Sequence, residues 1–163
     1  MMALIQPERI VTARLTLEPL SKQAAGQLLA GDLSAVIAGD GWPHRDTADA
    51  LRLTERGSGQ VWLVMAGDVV IGDCGLHAAV GAADEVEIGF GLAAPFRGKG
   101  YGRELVCGLC GWLLAQPGVA AVVARGVLEG NSASRRTLEG CGFGLEHAHE
   151  GVVDYALIRG RGP

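Results

Sequence analysis

From Val11 to Glu18 apolar and polar residues take turns, with Val11, Ala13, Leu15 and Leu17 set against Thr12, Arg14, Thr16 and Glu18. A period of two predicts a strand with one buried face, and Pro19 ends it. Ser21 then offers an N-cap to a helix running to about Ala30. The turn-rich stretch GDGWPH (39–44) separates this helix from a second one. That second helix starts at Asp46 or Thr47, runs to about Arg56 and stops at GSG (57–59). Residues 60–78 read as two strands joined at Gly67-Asp68, a hairpin signal. GAAD (81–84) predicts another turn. EVEIGFGL (85–92) then places Val86, Ile88, Phe90 and Leu92 on one strand face, and Glu85, Glu87, Gly89 and Gly91 on the other.

Beyond residue 100 the period changes. Leu105, Leu109, Trp112 and Leu113 fall at helical spacing, and Val106, Cys110 and Leu114 widen the stripe. This predicts a helix buried against a sheet and ended by Pro117-Gly118. VAAVVARGVL (119–128) is apolar enough to be a strand covered on both faces. Asn131 predicts the cap of a short helix to Glu139, stopped by Gly140 and Gly142. Residues 143–147 and 152–159 finish as strands. Hairpins leading into a strand–helix–strand crossover make a mixed-sheet α/β (α+β) domain, read as one unit over 1–163.

Composition narrows the function classes. The chain has 163 residues, is 48% hydrophobic and has a formal net charge of −4. That balance disfavours a general nucleic-acid binder, whose affinity rests on basic surface. No apolar run approaches the roughly 20 residues of a membrane helix, and MMALIQPERI lacks the pattern of a secretory leader. The expectation is a cytoplasmic protein without membrane or nucleic-acid partners. Of four cysteines, Cys107 and Cys110 form a CxxC inside the apolar helical stripe. Reduced, buried thiols are the expectation for all four; zinc or redox chemistry is the alternative.

The chemistry concentrates at FRGKGYGREL (96–105), where three glycines precede a helix. An uncapped helix start offers N–H groups and positive dipole to a phosphate. Neither common phosphate loop fits. GxxxxGK[ST] fails because Lys99 precedes the last glycines, and GxGxxG fails because Arg103 occupies its third glycine position. Arg97-Gly98-Lys99-Gly100-Tyr101-Gly102 does fit Arg/Gln-x-x-Gly-x-Gly/Ala, which resembles the acetyl-CoA pyrophosphate loop of the GNAT (GCN5-related) N-acetyltransferases. EVEIGFGLAAPF (85–96) looks like that family's central strand. NSASRRTLEGCGF (131–143) and TARLTLEPL (12–20) resemble segments of its ribosomal-protein N-acetyltransferase-like branch.

The resemblance implies a mostly antiparallel sheet of about six to seven strands, about four helices, and a splayed strand pair that admits acetyl-CoA. It implies direct acetyl transfer to an amine, from a protein N-terminus or a small molecule, without a metal. A homodimer is compatible with it. By position, Leu92 and Ala94 would offer backbone to the pantetheine arm. Arg97, Gly98, Lys99, Gly100, Tyr101 and Gly102 would wrap the pyrophosphate, Asn131 would hold the arm, and Arg135 or Arg136 would reach a second phosphate or lie on a solvated face. Relatives carry an acidic tyrosine where this chain has Leu138, which keeps open a second reading, a weakly catalytic acyl-CoA sensor.

An alkylammonium acceptor, with pKa of roughly 10, must lose a proton before attack. Glu87 is the first candidate base, by its face on the central strand, and Glu85 the fallback; a carboxylate facing water is the alternative for both. Ser134 would protonate the departing thiolate or serve only the helix start. By the same resemblance Trp42 and His44 would border the acceptor pocket, although Trp42 also reads as a hydrophobic plug. His147 and His149 share a strand face without a third metal ligand. If the backbone does the holding in 97–102, Gly100→Val will cost more acetyl-CoA affinity than Lys99→Ala in calorimetric titration. The reverse ranking would make charge the loop's contribution.

Overall fold

The computed structural model describes residues 5–77 and 84–160. All of the turn expected at 81–84 except Asp84 lies outside them. The order among the described residues is β1 (Ile10–Val11), β2 (Thr16–Pro19), α1 (Lys22–Leu29), β3 (Ile37–Ala38), α2 (Thr47–Arg56), β4 (Gly59–Ala66), β5 (Val69–His77) and β6 (Glu85–Leu92). A single 3₁₀ turn (Ala94–Phe96) leads to α3 (Tyr101–Leu114), β7 (Ala121–Leu128), α4 (Ser132–Gly140), β8 (Gly144–His149) and β9 (Val152–Ile158). The sheet runs β1-β2-β4-β5-β6-β7-β9-β8, with β3 attached to β5. β6–β7 and the short β3–β5 contact are parallel, and the other pairs are antiparallel.

The helix signals act as read. Ser21 Oγ accepts the Ala24 N–H at 3.1 Å, and Asn131 Oδ1 accepts the Ser134 N–H at 3.2 Å. Gly57 ends α2 in the left-handed region. The first strand differs. The alternating run 11–18 does not stay extended but folds back on itself, so that Ile10 pairs with Leu17 and Val11 with Thr16. Thr12 closes the bend: its N–H donates to the Leu15 carbonyl at 2.9 Å, and its hydroxyl accepts the Leu15 N–H at 3.1 Å. A short polar side chain satisfying a neighbouring backbone group outcompetes the strand pattern there. This bend and the two-residue β3 bring the sheet to nine strands.

Helices cover both faces of the sheet. On one, Leu105, Val106, Leu109 and Leu113 of α3 and Leu138 of α4 meet Trp62, Val64, Ile71, Val86 and Val122. On the other, Ala25 and Leu28 of α1 and Leu51 of α2 meet Val61, Leu63 and Val70. The feature that matters for function lies between β6 and β7. Only Glu85↔Ala121, Val86↔Val122 and Glu87↔Val123 are paired. After Glu87 the strands part, while β6 stays paired with β5 as far as Leu92. Leu109 has no exposed surface. Leu109→Ala leaves a cavity beneath α3 and should lower unfolding stability by about 2–5 kcal/mol in denaturant titration; a change under about 1 kcal/mol would mean that α3 is not fixed to the sheet as described.

Candidate active site

The parting of β6 and β7 opens a cleft of 480 Å³ lined by Phe90, Gly91 and Leu92 of β6, by Arg97, Gly98, Gly100, Gly102 and Arg103, and by Asn131, Ser134, Arg136 and Thr137. Gly98 and Gly100 have φ of 76° and 81°, where a side chain is strained. Gly100 is the N-cap of α3 and supplies no side-chain cap. The first N–H groups of α3 are therefore free for an anion, and three arginines line the same space. Beyond Glu87 the β6 edge facing β7 has no ladder partner among the described residues; its Leu92 carbonyl accepts Arg97 Nε at 3.0 Å, and the groups before it are open to amides of an inserted chain.

The loop that shapes this cleft is held from outside it. Arg14, at the bend between β1 and β2, donates from Nε to Glu104 Oε1 at 2.7 Å and from its backbone N–H to Glu104 Oε2 at 2.7 Å. Its guanidinium also donates to the Lys99 carbonyl at 3.0 Å and stacks 4.5 Å from the centre of the Tyr101 ring. The Thr12 hydroxyl donates to the same Glu104 carboxylate. Burial pushes the Glu104 carboxyl up, but the hydrogen bonds from Thr12 and Arg14 and the Arg14 charge outweigh it and leave its pKa below the ordinary value.

A second cavity, of 250 Å³, adjoins the cleft and shares His44, Asp46 and Phe90 with it. It runs between α2 and the sheet. Asp46, Asp49, Ala50 and Leu53 form one side, and Asp73, Gly75, His77 and Gly89 lie opposite. Gly75 and Gly89 are cross-strand neighbours, and a Cβ at Gly89 would meet nothing within 4 Å. The missing side chain leaves that space empty. At the junction His44 lies over β6, where a Cβ on Gly91 would come within 2.8 Å of its Cε1. Its Nε2 is 3.1 Å from Asp73 Oδ2, off the direction of a well-formed hydrogen bond, and has no other partner. Asp73 is buried and also accepts from Trp42 Nε1 at 3.0 Å and Thr47 Oγ1 at 2.7 Å. The adjoining Asp73 carboxylate raises the His44 pKa above its ordinary 6.5; burial opposes this, and the charge of Asp46 adds to the rise.

A family model described as an acetyltransferase (GNAT) domain matches residues 14–144. The chain belongs to the GNAT acetyltransferases. It is an N-acetyltransferase, and solved structures share its fold. A RimL ribosomal L7/L12 alpha-N-protein acetyltransferase in complex with coenzyme A aligns over 93% of this chain and 98% of its own, with TM-score 0.67 and 22% identity. An acetyltransferase from Agrobacterium tumefaciens aligns over 96% and 98%, with TM-score 0.66 and 21% identity. RimJ from Mycobacterium smegmatis, in complex with a CoA disulfide, aligns over 94% and 88%, with TM-score 0.67 and 14% identity. Curated protein sequences yield no match.

In this GNAT chain the expected cofactor residues separate into two groups. Leu92, Arg97, Gly98, Gly100, Gly102 and Asn131 line the cleft, as does Ser134, the candidate donor to the thiolate. Lys99 instead is exposed beside the Phe96 ring, Tyr101 packs partly buried between the core and Arg14, and Ala94 opens the 3₁₀ turn. Arg135 needs correction. Its Nε donates to the Tyr155 hydroxyl at 3.0 Å and its Nη1 to the Glu129 carbonyl at 3.0 Å, while Tyr155 donates to Glu139 at 2.7 Å. It is committed behind α4, and Arg136 is the arginine on the cleft.

Glu85 pairs with Arg125 at 2.7 Å, and Glu87 stands opposite His77, before the strands part. Neither lines either cavity. Trp42, 4% exposed, is both a plug and an anchor through its bond to Asp73.

The cysteines also depart from expectation. Cys107 is disulfide-bonded to Cys141 with Cα atoms 5.4 Å apart, tying α3 to the end of α4. Helical spacing turns Cys110 inward instead. Cys74 and Cys110 are the buried free thiols; burial raises Cys74 well above the ordinary value and pushes Cys110 up to about 12, so both stay protonated and unreactive. Among the described residues no group of three or more His, Cys, Asp or Glu is placed to hold a metal ion.

Arg14 and Glu104 were not legible as site residues, because their partners lie 90 positions apart in sequence. Arg14→Ala should weaken acetyl-CoA binding by about tenfold and leave the fold intact, Arg14 being half-exposed and the direct worth of the pair about 1 kcal/mol. The sign with pH follows from the lowered carboxyl. The clamp is complete above the ordinary carboxylate pKa and is lost as pH falls through the depressed one. Unchanged affinity in Arg14→Ala would mean that the loop holds its own shape.

Proposed function

We propose that this acetyltransferase moves the acetyl group of acetyl-CoA to a primary amine by direct attack within a ternary complex. The observation that carries this reading is the junction of two spaces of opposite character. The cleft between the parted strands has three arginines and an uncapped helix start, which suit a pyrophosphate. The adjoining cavity contains Asp46, Asp49 and Asp73 and, among the described residues, no lysine or arginine, which suits a cationic amine. Asp49 is partly neutralised by Arg52 at 3.0 Å.

The residues divide the work. The pyrophosphate lies on Gly98–Gly102 and the first turn of α3, with Arg97, Arg103 and Arg136 around it. The pantetheine arm extends along the open edge of β6 towards the junction, past Asn131. There the thioester carbonyl meets the amine arriving from beneath α2. Unpaired β6 N–H groups would stabilise the oxyanion, and Ser134 is the hydroxyl in the cleft suited to protonate the leaving sulfur. At 250 Å³ the acceptor cavity lies below the roughly 300–1,000 Å³ of drug-sized sites. It takes a small amine or the first residue of a peptide.

The test is thiol release from acetyl-CoA against a panel of small amines and N-terminal peptides. Release with at least one acceptor is expected; acetyl-CoA binding without release across the panel would instead make the chain an acyl-CoA sensor. Gly89→Val should raise the acceptor KM at least tenfold and leave acetyl-CoA affinity within twofold. Equal acceptor kinetics would place the amine elsewhere.

A further inference from the structure

We propose that His44, seated on Asp73, is the group that takes the proton from the acceptor amine. This rests on the two-cavity reading above. The amine must lose its proton where the cavities meet, because that is where it meets the thioester. Among the described residues only His44, Asp46 and Phe90 line both spaces. Phe90 has no basic atom. The Asp46 side chain belongs to an exposed residue at the start of α2, whereas His44 is set over the bare backbone of Gly91. A Cβ on that glycine would collide with the imidazole, so the ring's place depends on it.

The hydrogen-bonding pattern fixes the tautomer. Nδ1 accepts the Asp46 backbone N–H at 3.3 Å, so the neutral ring carries its proton on Nε2, towards Asp73. Nδ1 is then the basic nitrogen, and the 3.3 Å contact it gives up on protonation is long and weak. The imidazolium formed stays beside the Asp73 carboxylate, which is itself fixed by Trp42 and Thr47.

The step balances. The ammonium gives one proton to Nδ1, and the freed lone pair forms the N–C bond at the thioester carbon. The C–S bond then breaks with its electron pair going to sulfur, the Ser134 hydroxyl gives its proton to the thiolate, and the second amine proton restores the Ser134 hydroxyl. The amide and coenzyme A leave, and His44 returns its proton to water.

The charged and titratable groups around His44 are Asp73 and the Cys74 thiol from β5, Asp46 at the N-cap of α2, Asp49 and His77 along the acceptor cavity, and Arg97, Arg103 and Arg136 across the cleft; burial holds the Cys74 thiol protonated. Asp73 leads in raising the imidazole pKa, against burial. A base with a raised pKa is inactive when protonated, so kcat/KM should climb with pH through a limb centred above 6.5.

The experiment compares pH profiles of the wild-type enzyme, His44→Gln, Asp73→Asn and Glu87→Gln with the best acceptor of the amine panel. His44→Gln should lose 10²–10⁴-fold in kcat, lose the acidic limb, and bind acetyl-CoA within twofold of wild type by calorimetry, which also reports folding. Asp73→Asn should keep a limb but move it to lower pH. Glu87→Gln should retain rate and limb. A His44→Gln enzyme with kcat within threefold and the limb intact would overturn the proposal, as would loss of the limb in Glu87→Gln. Absence of thiol release by the wild-type enzyme would sink the transferase reading instead, so the two failures are distinguishable.

Discussion

The site depends on β6 being paired along one edge and abandoned along the other. Three residue pairs join it to β7, and then the two strands part. Unpaired backbone inside a protein is costly, roughly the worth of a lost hydrogen bond per group. A fold keeps such an edge where something else will bond to it. The antiparallel ladder to β5 continues to Leu92 and holds β6 straight while its other side is open. Everything at the site is arranged around that gap: the loop and α3 at one end, α4 along the side, and the acceptor cavity against the glycine face.

Two long-range contacts turn the gap into a shaped site. Arg14 comes from the first bend of the chain and fixes both the Glu104 carboxylate and the Lys99 carbonyl. Asp73 comes from mid-sheet and gathers Trp42, His44 and Thr47, so the segment leading into α2 is pinned at the junction. In each case a charged side chain is satisfied by groups from a distant segment. Such charge-assisted bonds are stronger than neutral ones and define direction. The disulfide between Cys107 and Cys141 adds a covalent tie between the two helices that flank the cleft.

Local signals made most of the fold legible. Ser21 and Asn131 cap helices, Gly57 ends one, and the 3.6-residue stripe from Leu105 to Leu113 buries α3, because each of these acts within one or two turns of chain. The loop at 97–102 was legible for the same reason, as glycines and a helix start are local. The run 11–18 was misread because Thr12 forms a bend that alternation cannot register. Arg135 was misread because helix position does not tell whether Tyr155 will claim the guanidinium. The roles of Arg14 and Asp73 had no local signal, since their partners lie 26 to 90 residues away. Cys107–Cys141 likewise joins positions 34 apart, while the nearer Cys107–Cys110 spacing pointed elsewhere.

Hydrogen–deuterium exchange with and without acetyl-CoA tests the central claim most directly, that the cofactor fills the gap between β6 and β7 over the start of α3. The account predicts slowed exchange at the Gly98–Arg103 amides and along β6 from Ile88 to Leu92, with β8 unchanged. Protection confined to the groove of 640 Å³ between α1 and the β2–β4 face, where Leu28 and Met65 lie, would contradict it.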